Sequence, residues 1–318
     1  MNFRLQALLL LVIILASVLA SKAFAPRAET QEAARQVNNR QLTTDDSSRV
    51  EARDKNRLAE TDGMPKRRWS VLDPTVGAAA ATAQLIGTPF SFLNYRTYES
   101  RPIASLTKLL TAVVVLEQFG PDKKVPVGLI AVQTEGEAGE LSSGEIYTAR
   151  DLLKVMLMTS SNDAAAAFEE YAGGQEVFRG LMRAKILELG MAQTSVHDGS
   201  GLSDENRSTA GDLVKLAAYI AAQHPDIFAW SRLTSILVQP LNGGTTRTVS
   251  NINSLALSAT FLGGKTGTSP AAGENLLAIL SHGTDRIVVV LLGSKNRYDE
   301  VQGLMHWVDE AYEFPAKP

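Results

Sequence analysis

The sequence predicts an α/β chain in which strands from its two ends close one sheet around a helical insert. Three observations predict it. Strand-like apolar stretches gather after residue 69 and again after residue 234, while the span between them carries apolar residues at helical spacing. With 318 residues and 45% hydrophobic content, the chain can bury the core of one large domain or two small ones.

The elements follow in order. Arg4 precedes an apolar run, Ala7 to Ala20, and Ala23-Phe24-Ala25 offers small residues where a signal peptidase reads, so residues 1–25 are expected to be an export signal cleaved after Ala25. The alternative is an uncleaved membrane anchor, because Leu5 to Leu19 is almost continuously apolar. Either way the remainder is exported. Residues 26–68 are charged, amide-rich and free of aromatic residues, which reads as a flexible polar linker. From Trp69 the texture changes, and "GAAAATAQLIGTPFSFLNYRTYE" reads as a hairpin turning at Gly87-Thr88-Pro89.

After Pro102, "SLTKLLTAVVVLEQFG" is apolar on every face and stops at Gly120, as expected of a buried helix. "TARDLLKVMLMTSSNDAAAAFEEYAGG" predicts two helices separated by a polar break at Thr159 to Asn162, with Asp163 capping the second. "QEVFRGLMRAKILELG" and "STAGDLVKLAAYIAAQH" are two more, which places a helical subdomain at roughly 120–233. Strands return in "TSILVQPL", "SATFLGGKTGT", "ENLLAILSHG" and "RIVVVLLGS", before a last helix from about Tyr298 to Tyr312. The acidic stretch "EGEAGE" and nearby Glu145 read as a solvated loop.

Composition narrows the function classes. A net charge of −3, from 31 basic and 34 acidic residues, leaves no positive field for nucleic acid. The chain has no cysteine, and its four histidines are scattered, so neither a metal site nor a cofactor is expected.

Three short motifs carry the chemistry: Ser105-Leu106-Thr107-Lys108, Ser160-Ser161-Asn162 and Lys265-Thr266-Gly267. Taken singly, Ser105 could merely start a helix and Lys265 could be a strand-end charge; in this order they point to catalysis. A serine hydroxyl is a poor nucleophile until a base takes its proton, and a lysine three residues on shares its helical face. Such a lysine must be neutral part of the time, which burial and a second cation, here Lys265, promote. Ser160 is placed to relay a proton and Asn162 to hold Lys108 and a substrate amide. Lys265 and Thr266 would meet a carboxylate, and Gly267 lets an acyl chain approach the backbone. The N–H groups of Ser105 and Thr268 would form the oxyanion hole. Ser200 in "HDGSGL" lacks the glycine two residues before it that a nucleophile elbow requires and reads as a structural turn. Asn251 and Asn253 would order the approach to the last motif strand.

With these motifs, "PIASLTKLLTA", "LLKVMLMTSSNDAAAA", "DGSGLSDENRSTAGDL", "NINSLAL" and "GGKTGTSPAAGENLLA" resemble the low-molecular-mass penicillin-binding proteins, the D-alanyl-D-alanine carboxypeptidases and endopeptidases. The resemblance covers 69–318. It implies an α/β sandwich, a mainly antiparallel sheet flanked by helices, with an all-α subdomain. It also implies acyl transfer to Ser105 from peptidoglycan stem peptides, β-lactam antibiotics as covalent inhibitors, and a periplasmic or outer-face location in cell-wall remodelling. Two features depart from the family pattern: the chain ends soon after the third motif, and Ser161 stands where glycine is usual. The rivals are a class A-like β-lactamase, for whose deacylating glutamate no local counterpart is seen, and a catalytically silent peptidoglycan-binding protein.

Overall fold

The computed structural model describes residues 63–136 and 140–315, so the expected export segment and nearly all of the tether lie outside the described residues. The folded unit starts at Pro65, four residues before the expected boundary at Trp69. Strand β1 (Lys66–Arg67) pairs with β13 (Tyr312–Glu313). The Arg67 guanidinium lies 5.2 Å from the Trp307 ring centroid and 5.4 Å from that of Tyr312, and it ion-pairs with Asp73. A basic run that reads as solvated is thus partly buried through cation–π contacts.

The chain then forms β2 (Ala80–Leu85), β3 (Ser91–Tyr95) and β4 (Arg101–Pro102), followed by helix α1 (Thr107–Gln118). The insert comprises β5 (Lys124–Pro126), α2 (Leu129–Val132), β6 (Ile146–Thr148), α3 (Ala149–Thr159), α4 (Asn162–Tyr171), α5 (Gln175–Glu188), β7 (Arg207–Ser208), α6 (Ala210–Gln223) and α7 (Pro225–Ser231). It is therefore not purely helical, since β5 pairs with β6, and β7 pairs back to β4. The hairpin β8 (Ser235–Val238) and β9 (Arg247–Ser250) leads into β10 (Phe261–Ser269), β11 (Gly273–His282), β12 (Asp285–Ser294) and helix α8 (Arg297–Ala311).

The main sheet has the order β10-β11-β12-β2-β3, antiparallel throughout. Strands from the two ends of the folded unit meet at the β12–β2 pair, as the sequence predicts. Helices cover both faces, which explains why β12 reads as an unbroken apolar run. Leu277, Ile279, Val288, Val290 and Leu292 join the core of the helical insert. The alternate residues turn to the other face, where α8 packs and Val301, Leu304 and Val308 are buried. This is the α/β sandwich. Among the described residues no helix is long and apolar enough to cross a membrane.

Two expectations change in detail. Asp163 is not the cap of α4: Ser161 Oγ accepts the Ala164 N–H, and Asp163 lies in the first turn. Glu145 is not solvated. It pairs with Arg247 of β9, their side chains 13% and 16% exposed, and it also accepts from the Tyr147 hydroxyl. Burial acts to raise the Glu145 carboxyl, but the Arg247, Ser142 and Tyr147 hydrogen bonds outweigh it and hold it below the usual carboxylate range.

Candidate active site

Ser105 sits in a single 3-10 turn, Ala104–Leu106, immediately before α1. Ala104 adopts φ 46°, a left-handed conformation rare without glycine, and its carbonyl accepts the Thr107 hydroxyl at 2.8 Å. That turn reverses the chain so that Ser105 stays half-exposed while Leu106 to Lys108 plunge into the core. Lys108 is fully buried. Its Nζ lies 3.0 Å from Ser105 Oγ, 2.7 Å from Asn162 Oδ1 and 2.6 Å from the Ser200 carbonyl oxygen.

The second motif joins from the junction of α3 and α4. Ser160 ends α3 with φ 61° and ψ 25°, and Ser161 caps α4. The break aims Ser160 and Asn162 into one cleft. Asn162 Nδ2 donates to the Glu135 carbonyl at 2.8 Å, which turns Oδ1 toward Lys108.

The third motif lies on β10, an edge strand whose outer side is open. Buried Lys265 donates to Ser160 Oγ at 2.9 Å and to the Thr266 carbonyl at 2.8 Å. The Gly264 N–H bonds Ser231 Oγ instead of β11, so alternation along the strand puts the Thr266 and Thr268 amides on the same open edge. At Gly267 a Cβ would stand 2.8 Å from the Ile103 carbonyl oxygen and 3.1 Å from the Ser105 nitrogen. Only glycine lets the strand approach the turn that carries Ser105 this closely. Asn251 Nδ2 donates to the Ser231 and Leu233 carbonyls and Asn253 caps the next turn, which secures the segment leading to β10. All eight residues singled out from the sequence (Ser105, Lys108, Ser160, Asn162, Lys265, Thr266, Gly267 and Thr268) therefore come together, most of them lining a cleft of about 400 Å³.

The structure adds two contributors that sequence reasoning passed over. The turn Asp198–Ser203 is built on the Asp198 carboxylate: Oδ1 accepts the N–H groups of Ser200 and Gly201, and Oδ2 accepts that of Ser203. This turn delivers the Ser200 carbonyl to Lys108, so "HDGSGL" is a structural turn that also touches the site. Buried Asn206 secures it, donating to the Asp198 carbonyl and to Thr107 Oγ1. Arg297, the first residue of α8, donates to the Gly267 and Asn275 carbonyls at 3.1 and 2.9 Å and also to Thr268 Oγ1. Its ion pair with Glu274 spans 3.1 Å. The Asx-turn pattern Asp-x-Ser was a usable signal for the first; nothing local marks Arg297.

A model of the D-alanyl-D-alanine carboxypeptidase family matches residues 93–296. D-alanyl-D-alanine carboxypeptidase DacB2 of Mycobacterium tuberculosis is 30% identical over 217 residues, 65% of this chain and 74% of that one. The D-alanyl-D-alanine endopeptidase of Haemophilus influenzae is 34% identical over 222 residues, again 65% and 74%. Among solved structures, a D-alanyl-D-alanine carboxypeptidase from Mycobacterium tuberculosis has TM-score 0.71 at 26% identity, covering 79% of this chain and 99% of that one. With the matched span enclosing all three motifs, the chain belongs to the D-alanyl-D-alanine carboxypeptidase family of serine peptidases.

Proposed function

We propose that this chain is a serine D-alanyl-D-alanine peptidase that cleaves peptidoglycan stem peptides through an acyl-enzyme on Ser105. The observation that carries the reading is the direction in which Lys108 faces. Asn162 Oδ1 and the Ser200 carbonyl can only accept, so each takes an N–H from Nζ. In the neutral amine, the remaining lone pair then points at the Ser105 hydroxyl, 3.0 Å away. That is the geometry of a general base.

The steps follow from the positions. Lys108 takes the Ser105 proton as Oγ bonds the carbonyl carbon of the penultimate D-alanine. The N–H groups of Ser105 and Thr268 hold the oxyanion. Collapse breaks the C–N bond, and the Lys108 ammonium returns the proton it took, through Ser160, which Lys265 orients, to the departing amine. Lys265 and Thr266 meet the carboxylate of the leaving residue, while Asn162 and the open edge of β10 hold the donor peptide as an added strand. Water then attacks the ester carbonyl, its proton passing to Lys108; the bond to Ser105 Oγ breaks, Lys108 returns the proton to Oγ, and the acyl product leaves as a carboxylic acid.

The substrate lies outside the cytoplasm, in keeping with an export or anchor segment at 1–25 and a tether from 26 to the start of the folded unit. Carboxypeptidases and endopeptidases both stand among the relatives, so the leaving group is either a free D-alanine or a cross-linked residue. The same geometry makes β-lactams covalent inhibitors. The test is the intact mass of the full-length chain followed over time with benzylpenicillin, beside Ser105→Ala. A long-lived adduct absent from the variant is expected. Rapid penicillin loss without an adduct would mean a β-lactamase instead, and neither adduct nor loss would sink the catalytic reading.

A further inference from the structure

Helix α4 reaches the nucleophile's base by two routes. At its first residue, Asn162 binds Lys108 directly. Two turns later, on the same face of the helix, Glu169 Oε1 accepts the Gly199 N–H at 2.6 Å. Gly199 belongs to the turn that presents the Ser200 carbonyl to Lys108 at 2.6 Å, and its own carbonyl accepts the Thr111 hydroxyl of α1 at 2.6 Å. The turn is therefore gripped between Glu169 on one side and two side chains of α1 on the other. A Cβ at Gly199 would stand 3.1 Å from the Phe178 ring and 3.2 Å from Glu169 Oε1, so little room remains for the backbone to shift on the α4 side.

We propose that Glu169 is a positioning residue for acylation: its ionised carboxylate holds the Gly199–Ser200 backbone in place, and the Ser200 carbonyl in turn keeps the Lys108 amine aimed at Ser105. This inference rests on the serine–lysine reading above. A carboxylate is a much stronger acceptor for an N–H than a carboxylic acid, so the grip depends on the ionisation of Glu169. Burial pushes this carboxyl up to about 7, opposed by the Gly199 hydrogen bond and assisted by the Asp198 charge. Glu169 also borders a cavity of about 510 Å³ behind the turn, through which water can exchange its proton. His197 and Asp198 lie on the turn and Glu170 on the same helix, α5 contributes Gln175 and the uncharged Phe178, and α2 contributes Ile130. Glu176 of α5 pairs with Arg179, and His197 pairs with Glu205 at 3.3 Å. The grip is full above the Glu169 pKa and loosens as pH falls through it.

Glu169→Gln keeps an acceptor of the same shape without the charge and so imitates the protonated form at every pH. The experiment measures the acylation rate of the full-length chain by benzylpenicillin from pH 5.5 to 8.5, for wild type and Glu169→Gln, with thermal melts of both. Taking the ratio of the two rates removes the pH dependence of every group that the Glu169 charge does not influence. The ratio is expected to stay near one at the acid end and to rise about tenfold with a midpoint near pH 7. A ratio independent of pH would overturn the proposal. Glu169→Asp keeps the charge but draws it away from the Gly199 N–H. It is expected to match the Gln variant at pH 8.5, and wild-type rates there would likewise overturn the proposal; this variant decides the matter if Glu169→Gln fails to fold. Absence of any adduct at all pH values would instead refute the serine–lysine reading, and this inference with it.

Discussion

Gly201 is where the turn behind Lys108 meets the turn that carries Ser105. A Cβ at position 201 would stand 2.0 Å from the Ala104 carbonyl oxygen, 2.4 Å from its carbon and 2.9 Å from the Ser105 nitrogen. Ordinary contacts between such atoms lie near 3.5 Å, so Gly201→Ala demands a displacement of more than about 1 Å. Neither side gives easily. Ala104 is already left-handed and held by Thr107, and the Gly201 N–H is held by Asp198. Position 201 itself has φ 85°, which adds about 1–2 kcal/mol for alanine.

With overpacking costing about 1–3 kcal/mol, the total is on the order of 3 kcal/mol. At about 2–4 °C per kcal/mol for a domain of this size, the melting temperature should fall by roughly 6–12 °C. The kinetic effect is more diagnostic. Relief of the clash either withdraws the Ser200 carbonyl from Lys108 or displaces Ser105, and a misplacement of about 1 Å costs around a hundredfold. The assay pairs a thermal melt with the rate of benzylpenicillin acylation, measured below the new melting temperature. A folded variant that acylates within twofold of wild type would refute the claim that these two turns position the nucleophile and its base.

Three further substitutions probe other parts of the cleft. Lys108→Arg puts a cation that cannot deprotonate beside Ser105, and acylation by benzylpenicillin should fall by at least about a thousandfold, followed by adduct mass. Arg297→Ala removes the donor shared by the Gly267 and Asn275 carbonyls, so we expect a loss of about 2 kcal/mol in urea unfolding and a raised KM for a D-alanyl-D-alanine peptide. Glu145→Gln breaks the pair with Arg247 and should cost on the order of 2 kcal/mol at pH 7. Because the Glu145 carboxyl titrates below its unfolded value, its contribution is present above about pH 4.5 and is lost as pH falls through the folded pKa. Unfolding curves of variant and wild type should therefore converge as the pH is lowered through the acid range.

The parts of this site that were legible in the sequence are those whose chemistry resides in side chains close together in the chain. Ser105 and Lys108 share a helical face by spacing alone, and Lys265-Thr266-Gly267 announces itself as a strand with a small residue at the point of approach. The Ser200 contribution was illegible for a different reason. Its carbonyl does the work, every residue has one, and only the fold of Asp198 and Asn206 around it decides where it points. Arg297 was hidden by distance: it acts on β10 from the start of a helix beyond two intervening strands. The same logic governs the fold. Long apolar runs such as β12 and α1 were plain, whereas β1, β7 and β13 are two-residue strands defined by their partners. Glu145 looked solvated because its partner, Arg247, is remote in sequence.

The two reactive turns share one backbone device. Ala104 precedes Ser105 and Ser160 belongs to the second motif, and both are non-glycine residues in left-handed conformation, with φ 46° and 61°. Each costs about 1–2 kcal/mol, and neither is needed merely to end or begin a helix, since glycine would serve at less cost. What the strained residues do is fix direction. Glycine at 160 would have no hydroxyl for Lys265, and a freer turn at 104 would let Ser105 swing relative to a lysine that is anchored deep in the core. The surrounding contacts over-determine both positions: Thr107 and Gly201 against Ala104, Lys265 against Ser160. Strain held in this way is pre-organisation. On the proposed mechanism, binding energy from the substrate need not be spent on ordering Ser105 and Ser160, and remains for distorting the scissile bond toward its transition state.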